Sequence, residues 1–417
     1  NVTLTSAGAL NELSGAFING ALLTTSSVDG TLFNNPNTIS SFNATNSTSG
    51  NIALTNTAAP LTITGISQTG NGTVTINNTG ALTTSGAITT TGTGLMSLIA
   101  SGAETIGANI TATAGPANIL LNAGGILNQT AGIISGALLT TMSSGGTTLN
   151  NANAVTSFNA TNTGLGNIDF INTIGTLTIT GITQNTGNIT VANTGNLTTS
   201  GAISTAANGN ISLTAVGGIE TIGAAVTAGG SGTINLTTTG GTNALLIQNA
   251  VNSTSGAIAA NSAGVITESG AGLFGTSGLL TTTSLGGETL NCANTVGSFN
   301  ATNSGLGNID LINTASTLTI TGITQNTGNI TVDNTCNLTT SGAISTAANG
   351  NISLTATSGV ETIGAAVTAG GSGTIGLTTT GGTNALLIQG AVNSTSGAIT
   401  ANSAGVITES GAGLFGT

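Results

Sequence analysis

The chain has 417 residues, none of them Lys, Arg or His, and its 11 acidic residues give a formal net charge of -11. Without cations it cannot displace counterions from nucleic acid or dock on a polybasic membrane site. Ion pairs between side chains, Schiff-base lysines, His-ligated metals and Ser-His-Asp or Cys-His nucleophiles are excluded with them.

Disorder does not follow from this bias. Hydrophobic residues make up 38% of the chain and only three residues are Pro, whereas disordered chains combine low hydropathy with high charge. No apolar run approaches the roughly 18 to 20 residues of a membrane span, so no membrane insertion is expected. No signal peptide is visible at the start.

The elements are read most easily through internal repeats. Phe42-Asn43-Ala44-Thr45-Asn46 recurs from Phe158 and Phe299, Leu61-Thr62-Ile63-Thr64-Gly65-Ile66 from Leu177 and Leu318, and Glu104-Thr105-Ile106-Gly107 from Glu220 and Glu361. All three motifs keep the same pair of spacings, and the second spacing is the longer one. Long units 22-137, 138-278 and 279-417 follow, with 1-21 the tail of a preceding unit. The extra stretch that lengthens the second spacing lies near Gly241 to Gly264. An insertion that leaves its flanks recognisable is a whole structural unit.

In chain order, Asn1-Val2-Thr3-Leu4-Thr5 opens as an alternating strand and resembles Asn118-Ile119-Leu120-Leu121-Asn122. Leu177-Thr178-Ile179-Thr180, Asn210-Ile211-Ser212-Leu213-Thr214 and Thr233-Ile234-Asn235-Leu236-Thr237 alternate in the same way. Each predicts a short strand with one buried face. Strand starts at Ile168, Ile189, Ile211, Ile234, Ile258, Leu290 and Ile309 suggest coils of about 23 residues, with the longest, around Ser269 to Gly287, carrying an exposed loop. Gly, Asn and Ser clusters separate the strands. The chain closes on Leu414-Phe415-Gly416-Thr417, equivalent to Leu273-Phe274-Gly275-Thr276.

The expected fold is all-β: a right-handed parallel β-helix (β-solenoid), a single continuous solenoid over 1-417 of about 18 coils of about 23 residues, roughly 85 Å long at 4.8 Å per coil. Like charges would repel in such a stack, whereas Asn and Thr can form ladders.

Gly187-Asn188-Ile189-Thr190-Val191 and Gly209-Asn210-Ile211-Ser212-Leu213-Thr214-Ala215 resemble the repeats of filamentous-haemagglutinin-like two-partner-secretion exoproteins. The resemblance implies an extracellular or cell-surface protein serving adhesion or matrix formation. Asn35-Pro36-Asn37 superficially matches the secretion motif of that family. It aligns with Asn151-Ala152-Asn153 and Cys292-Ala293-Asn294, however, and is read as a repeat position.

Only carboxylates remain as candidate catalytic groups. Glu104, Glu220 and Glu361 share one repeat phase, as do Glu268 and Glu409, and all are expected to be solvated on the surface. Asp310 and Asp333 form the nearest candidate pair, roughly 8 Å apart across one coil. Asp333 is replaced by Ala192 in the second unit, and no calcium-loop pattern surrounds Asp169 or Asp310. The expected catalytic, cofactor-binding and metal sites are therefore none, with loosely bound cations the only counter-ions. Cys292 and Cys336 lie about two coils apart, too far for a disulfide. The outward row Asp169, Thr190, Ser212, Asn235, Ala259 is not the Thr rank of an ice-binding surface, and carbohydrate lacks its usual aromatic platforms. The expected function is a structural subunit of an extracellular filament or surface fibre, itself the partner in a head-to-tail homopolymer. A stalk segment of a monomeric giant adhesin is the alternative, and an ice- or carbohydrate-binding solenoid is a minor one.

Overall fold

The computed structural model describes every residue except position 116. Among the described residues there are 45 short strands and no helix, wound into about 19 turns of a parallel β-solenoid. Two compact units divide the chain, residues 1–195 and 196–417.

A turn of the first unit shows the construction. Val74–Asn78, Leu82–Thr84 and Ile88–Thr90 form three consecutive faces. The chain then returns as Met96–Ala100, with Met96 over Val74 and Leu98 over Ile76. Burial alternates along each strand, so Val74 and Ile76 are inside and Thr75 is half-exposed. The second unit repeats the plan: Ile352–Ala356, Glu361–Ile363 and Val367–Ala369 precede Ile375–Thr379, whose Ile375 sits on Ile352. β-Branched residues suit this pleated, half-buried surface. Each fully buried Ile or Leu contributes about 1.5–3 kcal/mol to the interior.

Turn length varies, from the short turn that carries Leu139 onto Phe158 to the long one that carries Glu220 onto Leu245. The segment around Ser269 to Gly287 is not a loop, contrary to the sequence expectation. Leu273–Ser284 is a single 12-residue strand, and Leu280, not Leu290, covers Ile258. Spacing between strand starts misled here because one extended strand runs across two faces.

The register also separates sequence equivalence from vertical stacking. Ile52 and Ile168 hold the same repeat position, yet Ile168 stands over Thr147, Leu127, Glu104, Leu82 and Leu61. The column above Ile52 instead runs through Val74, Met96, Ile119, Leu139 and Phe158. The long repeat from Ile52 to Ile168 is thus five turns plus one face. The slip is absorbed at irregularities such as that between Leu149 and Asn153.

Buried Asn residues stabilise these irregular places. The Ile39 amide donates to Asn56 Oδ1 at 2.9 Å, and Asn56 Nδ2 donates to the Ile39 carbonyl at 3.1 Å and to Asn78 Oδ1 at 2.9 Å. Asn172 does the same for Val155 and Asn313 for Val296. The side chain replaces a missing strand partner and continues as an Asn ladder, leaving no buried amide of that backbone residue unpaired.

Candidate functional site

The titratable side chains depart most from their expected placement. Glu104, Glu220 and Glu361 are not solvated: each is fully buried. Glu104 lies between Leu82 and Leu127, Glu220 between Leu197 and Leu245, and Glu361 between Leu338 and Leu386. Each therefore occupies a leucine position of the interior. Neither carboxyl oxygen of any of the three has a hydrogen-bond partner. Burial pushes all three well above the ordinary carboxylate range. The backbone of Thr237 opposes this weakly at Glu220 and that of Thr378 at Glu361, but neither completes a hydrogen bond. An isolated carboxylate in apolar surroundings neutralises rather than stay ionised.

The turns above and below Glu220 contain the signal for this burial. Ile219 and Ile222 cannot both face inward with Glu220 between them in a strand. Ile219 is 39% exposed and Glu220 takes the interior place. Aligning single turns, with Leu197 and Leu245 at the same position, reveals it, whereas aligning long repeats only matches glutamate with glutamate.

Glu268 and Glu288 are buried differently. Glu288 stacks on Ile266, two residues before Glu268, so the two acids face inward on neighbouring turns. Thr282 Oγ1 and Ser284 Oγ donate to the Glu288 carboxyl, the latter at 3.1 Å. Burial raises this group to about 7 against those two hydrogen bonds. At Glu268, also raised to about 7 by burial, Oε2 accepts the Cys292 amide at 3.0 Å and Asn294 Nδ2 at 3.1 Å. Glu12 accepts the Asn35 amide at 3.0 Å and Gln129 the Asn151 amide at 3.4 Å. Glu268, Glu12 and Gln129 thus each pair a backbone amide beside the register shift. Glu288 replaces Thr31 and Thr147, which bond Ser27 and Ser143 there, and sequence reasoning passed over it because its unit-to-unit counterparts are uncharged. Of the Glu268 set, Glu409 alone is exposed.

Asp310 and Asp333 lie on adjacent strands, with Asp310 opposite Thr331 and Ile312 opposite Asp333. They are diagonal neighbours, about 7–8 Å apart. Among the described residues no three His, Cys, Asp or Glu side chains gather as a metal site. Cys292 and Cys336 are free thiols. Burial, and then the nearby Glu268 carboxylate, push the Cys292 thiol upward, which makes it a poor nucleophile. A recess of about 430 Å³ is lined by Thr302, Thr324, Gln325 and Ser345, among others, and one of about 620 Å³ by Ala112, Ser135, Ala154 and Ile174, among others. Neither is lined by a titratable side chain. The buried carboxyls, in turn, can hold protons but line neither of these recesses.

Compared with family models, curated proteins and solved structures, the chain has no significant match in any of the three.

Proposed function

We propose that this chain is a structural element of an extracellular filament or surface fibre, resembling in its repeats the filamentous-haemagglutinin-like exoproteins and assembling head-to-tail with copies of itself. The observation that carries the reading is the succession of parallel registers within each unit, repeated turn after turn with Asn ladders and apolar columns. Such an architecture builds a stack in which each turn contacts only its neighbours.

Electron microscopy and fibre diffraction of the isolated chain test the proposal. Unbranched fibres with a strong axial repeat near roughly 4.8 Å are expected. Monodisperse monomers at high protein concentration, without axial contact between neighbours, would reject self-assembly and favour the stalk of a monomeric giant adhesin.

A further inference from the structure

We infer that Glu104, Glu220 and Glu361 form a proton-dependent lock within the solenoid, so that the turns holding them close fully only with neutral carboxyls and loosen as those groups ionise. The inference goes beyond a structural role and does not depend on fibre formation.

Geometry carries it. Three equivalent positions place a carboxyl between two leucines, inside and without a hydrogen-bond partner. No cationic side chain exists in the chain to compensate a negative charge. Around Glu104, strands Val74–Asn78, Leu82–Thr84, Met96–Ala100, Ile110–Ala112, Ile119–Ala123 and Leu127–Gln129 contain no titratable side chain. Around Glu220, the same is true of Asn196–Thr199, Ile203–Ala207, Ile211–Val216, Val226–Ala228, Ile234–Thr239 and Leu245–Ile247. Around Glu361, the neighbouring strands carry only Asp333, on Ile330–Asn334. Asp333 is half-exposed on the outer face.

A purely structural interior would place leucine at these sites, as it does immediately before and after each one. Glutamate instead makes closure take up a proton. In the unfolded chain the carboxyl ionises near its ordinary value, whereas in the closed turn it stays neutral to higher pH. The stability tied to neutrality is therefore fully present below the unfolded value and falls as pH rises toward the folded one. Opening of one turn exposes its carboxyl to water, where ionisation holds the turn open.

The test compares the full chain with the triple variants Glu104→Gln/Glu220→Gln/Glu361→Gln and Glu104→Leu/Glu220→Leu/Glu361→Leu. Gln keeps the shape and removes the titration, while Leu matches the residues above and below and guards against a poorly folding Gln variant. The guanidinium unfolding midpoint is followed by circular dichroism from pH 4 to 9. The native protein should lose midpoint as pH rises, and the folded variants should lose clearly less. Infrared difference spectra at pH 7, native minus Leu variant, should show the carbonyl stretch of protonated carboxyls. Absence of that band, or an equal loss of midpoint in native protein and variants, would overturn the inference, as would a band present without any difference in midpoint.

Discussion

Glu288→Thr isolates a single buried carboxyl. The substitution installs the residue found at the equivalent positions 31 and 147, where a hydroxyl bonds Ser27 or Ser143 at 3.1 Å. Asn303 is positioned like Asn162, which accepts a hydrogen bond from Ser143. The native group rises from 4.5 to about 7 on folding. At about 1.4 kcal/mol per pH unit, this displacement ties about 3 kcal/mol of folding free energy to the proton. Because the folded value is the higher one, the folded state binds more protons between pH 4.5 and about 7. The contribution is complete below the lower value, declines through the interval and is gone above the upper one. The native protein should therefore lose about 3 kcal/mol more than the Glu288→Thr variant between pH 4 and 8. Equilibrium guanidinium unfolding followed by far-ultraviolet circular dichroism measures this difference, since the chain has no Trp or Tyr to report by fluorescence. Identical pH dependence in the two proteins, or a native protein more stabilised than the variant on going to pH 8, would refute the reasoning.

Three further outcomes are expected. Asn313→Ala removes the partner of both Val296 backbone groups and of Asn334 Oδ1. At about 1–3 kcal/mol for each buried group left unpaired, it should cost about 3 kcal/mol or more in the same unfolding assay. Gly307 has φ +98°, and a Cβ there would lie 2.2 Å from the Gly286 carbonyl oxygen, whereas nothing lies within 4 Å of a Cβ at Gly376. Gly307→Ala should therefore destabilise by more than about 2 kcal/mol and Gly376→Ala should be nearly neutral, which thermal melts compare directly. Thermolysin should cut first at the exposed turns, where Leu13 is 81%, Leu165 75% and Leu306 74% exposed. Mass mapping of early fragments should find none from Ile211–Val216, whose strand is paired along its length with Ile234–Thr239.

The fold class was legible because its two signals are local. Period-2 alternation in segments such as Asn210 to Thr214 specifies which side chains a strand buries, and repetition specifies that turns stack on turns of their own kind. The separation of Cys292 and Cys336 was legible for the same reason, since a rise per turn follows from the strand spacing alone. The approximate offset of Asp310 and Asp333 also follows from that spacing.

Tertiary structure decided which column each residue joins. The one-face advance between Ile52 and Ile168 arises from strands such as Thr147–Asn162, which run across corners without a turn residue, and no pattern within the strand announces it. The fate of the glutamates rests on the same register. A carboxyl beside two isoleucines, as in Ile219-Glu220-Thr221-Ile222, satisfies alternation in either phase. The turns above and below choose the phase, because slipping Glu220 outward would also carry Ile222, itself covered by Ile247, to the surface. Keeping that apolar contact buries the acid, and burial without a partner gives it a neutral form that composition alone counts as a charge.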